Sequence, residues 1–561
     1  MTARAKGRGR ALLTESAGLV AVIASTVLVL GHLVAAPWGE YLLSDGDSLA
    51  LPLLLQSLQQ GDPFQWVMTS QLLVFPELPL YLISTGLAGG SVQGSLVVNA
   101  VVNMVVFYAG LRWLAAGVLA GRSRSLRVAA PVAATATLLL LAATEGRGLI
   151  NSGAFASGIL LTTYYSGVVL AAVFCLAIMS DVTGGFGATA IPGTRRRLVG
   201  LVAILAVGAA ATVSNPLFAL QFSAPAVVTI GLLLVLARVR PRTAGALAGV
   251  LLLGAAVGLI ARLPAQRLIA VEASTYLHLE RAGAAVDGFI LQMRVVGSAG
   301  SGKIELAVVA LLIVCAAATV VVAIATQTRA PGRLSVSTAG TAVALFVLVA
   351  SVSLLLGVVV TGSLVSRYLL PLAAFPVLLV VPLAGDFVPR GLGARFRGSR
   401  PAWIGAGAPL AVALTAAVVA VLLAAPPVAA ASERAGSTPE SRCLEDWLGG
   451  RTLAGVGSFW TTRPLDLYAA ASTDVQQVNF DFSAQLWMNN IADYRGKSFS
   501  YVLVDHEPDW SVLARGTLGE PGSVTACPTF DIYDYAGTDG RAVLDRIVSE
   551  SIEKASDDRG Y

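Results

Sequence analysis

Apolar residues run along this chain in blocks of about 17–25, separated by short polar stretches; that length fits a bilayer, not a soluble core. About eleven such blocks stand out, near residues 17–37, 92–120, 128–144, 158–180, 198–214, 222–238, 243–261, 305–326, 337–360, 368–385 and 404–425. Every second joint is basic: Arg122 to Arg127, Arg195 to Arg197, Arg238 to Arg242, Arg329 to Arg333 and Arg390 to Arg400. Positive joints stay on the cytoplasmic side, and Lys6, Arg8 and Arg10 put the N-terminus there too. The first block exceeds the apolar core of a signal peptide and many spans follow it, so it reads as a retained anchor. An odd number of crossings leaves the C-terminal region outside. The block at 222–238 is short and carries Pro225, and losing it would invert everything downstream.

Three segments between or after the blocks are long, and all fall on the outer side. The first, about 38–90, mixes a helical stretch (Leu49 to Gln59) with the aromatic- and proline-rich runs Pro63-Phe64-Gln65-Trp66 and Phe75-Pro76-Glu77. Such composition suits helices lying at the membrane interface. The second spans about 262–304. The third, 429–561, changes character. Short β-rich runs (453–460, 475–480, 499–504, 524–533) alternate with helical patterns around 464–471 and 485–494, and a helix closes the chain from about Arg541. That alternation predicts a small α/β domain. The fold class expected is therefore a polytopic α-helical membrane protein, with a cytoplasmic N-terminus (1–16), a membrane region (17–428) and an extracytoplasmic α/β domain.

Composition agrees with that class. Hydrophobic residues make up 56% and charged residues 13%, with a mean hydropathy of +0.75, far more apolar than a soluble domain requires. The net charge of +5 lies in the joints and is no nucleic-acid footprint. Of four cysteines, Cys175 and Cys315 sit inside apolar blocks as packing residues. Cys443 and Cys527 share the outer domain, where a disulfide is permitted. The three histidines, His32, His278 and His506, are too scattered for a zinc motif.

The candidate chemistry begins with Asp45 and Asp47, just past the outer end of the first block. Carboxylates this close to a bilayer are costly unless they work in a wet cavity. One could act as general base on an acceptor hydroxyl while the other orients it or helps hold a metal. The alternative is a turn in which Ser44, Asp45 or Asp47 caps the helix starting near Leu49. Glu77, between Pro76 and Pro79, is a further acidic candidate, or else a residue of a proline-stiffened loop. Arg147, Arg262, Arg267, Arg281, Arg294, Lys303 and Arg367 map outside against the orientation bias. Arginine grips phosphate bidentately, so such a cluster suits an anionic lipid headgroup. Pairing with Glu272, Glu280 and Asp287, or snorkelling, would also account for most of them. Arg367 with Tyr368 stands at the mouth of a block. The run from Gly297 to Lys303 imitates a phosphate-binding loop, but Ile304 occupies the place of its Ser or Thr and no strand precedes it. It reads as a joint, and Gly455-Val456-Gly457 lacks the third glycine of a dinucleotide loop.

Together these features resemble the GT-C superfold of integral-membrane glycosyltransferases. The likeness rests on the acidic first outer loop with Asp45 and Asp47, the segment Arg367-Tyr368-Leu369-Leu370-Pro371 opening a late span, and the soluble α/β domain after the last span. That segment is similar to its counterpart in the protein mannosyltransferase and aminoarabinose transferase branches. The acids are separated by Gly46, whereas the mannosyltransferases have an adjacent pair, which leaves open which aspartate is the base. The resemblance implies sugar transfer from a polyprenyl-phosphate donor to a cell-envelope acceptor at the outer face of the cytoplasmic membrane. It implies Asp45 or Asp47 as base, and Arg367 and Tyr368, with Arg294 or Lys303, at the donor phosphate. Many such enzymes need no metal; any divalent cation, magnesium or manganese, would be held by carboxylates and water. Membrane lipids are expected partners and nucleic acid is not. The rival functions are a lipid-linked glycan transporter or flippase, disfavoured by span centres nearly free of charge, and a scaffold with an outer binding domain.

Overall fold

The computed structural model describes the chain except residues 1, 147–154, 187–192, 272–277, 328–335, 363–364, 388–407, 471–472 and 507. The basic joints at 329–333 and 390–400, together with Arg147 and Glu272, lie outside the described residues.

Each of the eleven apolar blocks contains a helix among the described residues, although the one at 158–180 becomes α-helical only from Ser166. Among the described residues, nine of these helices are long and apolar enough to cross a membrane, including Arg8–Val34, Val92–Val118, Pro241–Ala261, Thr338–Thr361 and Arg367–Phe387. The other two, Ser166–Val182 and Ala219–Val235, are shorter. The first is preceded by a 3-10 turn, Ser157–Leu160, and an irregular stretch, and the second begins as a π-turn, Ala219–Ser223. Among the long helices, Thr2–Val34 packs most extensively against Ala408–Gly436. A Cβ at Gly31 would meet Ala424 Cβ at 2.5 Å. A small residue there lets two helices approach where lipid supplies no hydrophobic drive.

The first outer segment is ordered into helices Trp38–Leu43, Ala50–Gln60 and Glu77–Leu87 with a two-residue strand β1 (Trp66–Val67). The C-terminal domain is built on a five-stranded sheet in the order β3-β2-β5-β7-β6. Its strands are β2 (Ala454–Gly457), β3 (Asp474–Gln477), β5 (Phe499–Asp505), β6 (Ser523–Ala526) and β7 (Phe530–Asp534). β2, β3 and β5 run parallel, while β7 and β6 close the sheet as an antiparallel hairpin. Cys443 and Cys527 form the expected disulfide across a Cα–Cα distance of 5.9 Å, tying helix Pro439–Leu448 to this hairpin.

Two sequence expectations in this domain need correcting. Residues 458–460 continue no strand: Ser458 caps a helix, Phe459–Tyr468, by accepting the N–H of Thr461. Residues 485–494 form no helix. Asn489–Asn490 make strand β4, antiparallel to β1, followed by a 3-10 turn, Ile491–Tyr494. The reason is Asn490, fully buried, whose side chain accepts from Gln65 N and donates to Pro63 O. Tertiary hydrogen bonds outcompete local helical preference here. The β1–β4 ribbon fastens the first outer segment to the C-terminal domain, and Met68 bridges to Ile269 in the second. All three long segments thus meet on one side of the helical region.

Candidate functional site

Asp45, Gly46 and Asp47 form a turn between helices Trp38–Leu43 and Ala50–Gln60. The turn closes through main-chain groups: Leu49 N donates to Asp45 O and Ala50 N to Asp47 O. No side chain caps the second helix. The turn of the alternative reading is present, but neither carboxylate caps that helix. Asp45 Oδ1 instead accepts the N–H of Asp47 at 3.1 Å and the Tyr164 hydroxyl at 2.7 Å. Thr163 Oγ1 donates to Asp47 O at 2.8 Å.

Arg367, 320 positions away in sequence, makes an ion pair with the Asp47 carboxylate, and its guanidinium lies over the Tyr164 ring, 5.6 Å from its centroid. Tyr368 packs edge-on against Tyr165 with centroids 5.0 Å apart, and its carbonyl accepts from Gln221 Nε2. Tyr165 has φ of +65°, a left-handed conformation uncommon for a bulky residue and enriched at functional sites. Burial, reinforced by the negative charge of Asp47, pushes the Asp45 carboxyl up to about 7, against the opposing Tyr164 hydrogen bond and Arg367 charge. A carboxyl tuned there is suited to proton transfer near neutral pH. Asp47, locked to a guanidinium, is suited to holding a cation in place.

The C-terminal domain closes the far side of the turn. Phe459 abuts Gly46, where a Cβ would meet the ring at 2.5 Å. Arg463, on the same helix, donates from Nε to Gly46 O at 2.9 Å and from Nη1 to Met488 O at 2.7 Å. Tyr468 Oη donates to Leu43 O at 2.6 Å.

The remaining candidates sit differently. Glu77 is buried, accepts weakly from Ser214 Oγ at 3.4 Å, and is pushed up to about 7 by burial. No hydrogen bond or ion pair among the described residues joins it to Asp45 or Asp47. Arg294 and Lys303 are exposed on helices Ala282–Ser298 and Gly300–Gln327, unbonded to the aspartates. Arg262 is a structural clasp, donating to Val213 O and Ser70 O. The loop resembling a phosphate site is only the break at Ala299 between two helices, and Gly455 lies within β2 against the Tyr501 ring. No group of three His, Cys, Asp or Glu among the described residues could hold a metal ion.

A second pair of buried acids, Glu145 and Glu305, lies outside this site. Glu145 accepts the N–H groups of Phe155 and Ser157 at 3.0 and 3.1 Å, together with that of Ala156 and the Ser157 hydroxyl. Burial raises its pKa, with Glu305 alongside.

The sequence reading missed Tyr164 and Arg463. The signal for the first was Thr162-Thr163-Tyr164-Tyr165-Ser166, a polar run inside an apolar block. Arg463 had no local signal, since its partner lies 417 positions away.

By structure, the chain is similar to ArnT from Cupriavidus metallidurans, solved bound to undecaprenyl phosphate, with a TM-score of 0.50 at 12% identity over 93% of this chain and 98% of that one. A weaker likeness, TM-score 0.41 at 13% identity over 88% and 69% of the two chains, is to an oligosaccharyltransferase from Archaeoglobus fulgidus solved with zinc and sulfate. No family model and no curated protein matches by sequence. At this identity the likeness is one of fold: the chain has a GT-C-like, multi-pass membrane architecture.

Proposed function

We propose that this chain transfers a sugar from a polyprenyl-phosphate donor to a hydroxyl of a cell-envelope glycan, lipid or protein at the outer face of the cytoplasmic membrane. The observation carrying this reading is the Asp47–Arg367 ion pair set beside Asp45. A carboxyl raised toward neutrality then stands next to a cation of the type suited to phosphate, which supports the reading. Asp45 takes the proton of the acceptor hydroxyl as the acceptor oxygen bonds to the anomeric carbon. The bond from that carbon to the phosphate oxygen breaks, and the polyprenyl phosphate departs with the electron pair. Arg367, held by Asp47, steadies its charge through its other N–H groups. Tyr164 keeps Asp45 oriented. Of the three basic candidates, Arg367 is assigned the phosphate, because among the described residues it is the one ion-paired with an aspartate of the turn.

The test uses the full chain in membranes supplied with polyprenyl-phosphate donors carrying radiolabelled sugars. Label should pass from lipid to a new product in the wild type and stay on the lipid with Asp45→Asn. Equal transfer by both proteins removes the catalytic assignment. Movement of intact donor between leaflets without transfer would instead establish the transporter reading.

A further inference from the structure

Arg463 is an unusual residue to find in the interior of a small α/β domain. Its side chain is 3% exposed and no carboxylate forms an ion pair with it among the described residues. Its guanidinium lies over the Phe459 ring at 5.0 Å, with three polar partners among the described residues: Gly46 O at 2.9 Å, Met488 O at 2.7 Å and Gln477 Oε1 at 3.4 Å. Nη2 has no hydrogen-bond partner. A buried, incompletely satisfied guanidinium is a poor choice for packing alone, because an apolar residue of similar volume would leave no donor unpaired. Burial lowers its pKa to about 10, so the group stays cationic at neutral pH, and Asp47, Asp466 and Asp45 are the charges that support it.

The position of this cation explains its presence. Gly46 is the one residue between the two aspartates, and Nε–H holds its carbonyl. The Phe459 ring presses on Gly46 Cα from the same helix, which leaves no room for a side chain. The turn is thus fixed from the membrane side by Thr163 and Tyr164 and from the opposite side by a helix of the C-terminal domain.

Building on the proposed transferase reading, we propose that Arg463 is a positioning residue of the sugar-transfer site, by which the C-terminal domain sets the geometry and charge of the Asp45–Asp47 turn. The domain is then part of the catalytic apparatus and not an appended binding module. Two effects are separable. The hydrogen bond to Gly46 O fixes where the carboxylates point. The positive charge favours the ionised form of Asp45, adding to Arg367 and the Tyr164 hydroxyl and opposing the repulsion from Asp47. On its own side the guanidinium is faced by Asp466 and Tyr494 as well.

The experiment measures transfer of labelled sugar from polyprenyl-phosphate donors by the full-length protein in proteoliposomes from pH 5 to 9. It compares the wild type with Arg463→Met, Arg463→Lys and the exposed control Arg442→Met. Arg463→Met is expected to lose about 100-fold in kcat, as misplacement by an ångström does, with the donor KM changed less than about threefold. Its acid limb should move up by about one pH unit, because a nearby cation has been removed. Arg463→Lys should restore the limb but recover only part of kcat, since an ammonium supplies charge without the planar fork. Arg442→Met should behave as wild type. A folded Arg463→Met with unchanged kcat and pH profile overturns the proposal. If that variant fails to fold, Arg463→Lys decides: full kcat with it also overturns the proposal. A wild type that transfers no sugar from any donor is a failure of the transferase reading, which is a different outcome.

Discussion

Two pairs of buried acids on this chain differ in what surrounds them. Glu145 and Glu305 have no cation among their hydrogen-bond and ion-pair partners within the described residues. Glu145 is saturated by the main-chain N–H groups of residues 155–157 and by Ser157, whose hydroxyl also accepts from Trp38 Nε1. Its work is to pin the segment leading into Tyr164. Asp45 and Asp47 accept fewer main-chain bonds and are partnered by side chains able to change partner: a tyrosine hydroxyl and an arginine. Acids satisfied by a rigid backbone build structure, whereas acids satisfied by side chains remain available for chemistry.

The sharpest way to break that contrast is Asp45→Asn, whose side-chain oxygen can still accept from Tyr164 and Asp47 N. Sugar transfer should fall by about 10²–10⁴-fold, the contribution of a general base. The variant should also be the more heat-stable protein at pH 8. The native carboxyl is raised above its unfolded value, so the folded state binds the proton more tightly and loses stability as pH rises from about 4 to 7. Asn carries no such penalty, and the gain should vanish near pH 4. A fall in melting temperature at pH 8 would contradict the assignment of Asp45 as an ionising buried group.

Next in size is Arg367→Met. Removing the charge opposite the leaving phosphate should cost about 10²–10³-fold in kcat, and it strands Asp47, so Arg367→Lys is its companion. Lysine should retain folding and recover a minority of activity, because a point charge replaces a fork. Full activity in Arg367→Met would transfer the phosphate role to Arg294 or Lys303.

The structural pair should respond in the opposite sense. Glu145→Gln leaves part of the 155–157 amide cluster without an acceptor and should lower stability by about 1–3 kcal/mol, read as a drop in melting temperature. Glu305→Gln should be close to neutral in stability. Both should keep the pH dependence of transfer, because neither faces Asp45. A shifted acid limb in Glu305→Gln would erase the distinction between the two pairs.

How much of this was legible beforehand follows from the range of the forces involved. The apolar helices in broad outline and the helix at Ala50–Gln60 were readable because bilayer thickness and helical period act over a few turns of chain. Asp45, Asp47 and Arg367 were readable because a charge at the membrane edge is anomalous wherever it pairs. The helix expected at 485–494 failed because Asn490 is held by Gln65 and Pro63 across more than 400 positions. Arg463 escaped for the same reason: nothing in Phe459 to Tyr468 announces a partner in the first outer loop. Tyr164 was concealed by its neighbours, an irregular polar run inside what pattern alone treats as one continuous span.

The smallest predicted effect is also the most specific. Tyr164→Phe removes one hydroxyl and leaves the ring beneath Arg367. That hydroxyl donates to Asp45 Oδ1 and favours the charged carboxylate, lowering a pKa that burial has raised. Losing it should raise the pKa further. A base works deprotonated, so the acid limb of kcat should move to higher pH. A hydrogen bond worth about 1 kcal/mol corresponds to roughly 0.7 of a pH unit. At pH 9, above both limbs, the variant should approach wild-type kcat, which separates a tuned base from a displaced one. If the deficit is the same at every pH, Tyr164 orients Asp45 without setting its proton affinity, and the contrast between side-chain-held and backbone-held acids loses its electrostatic half.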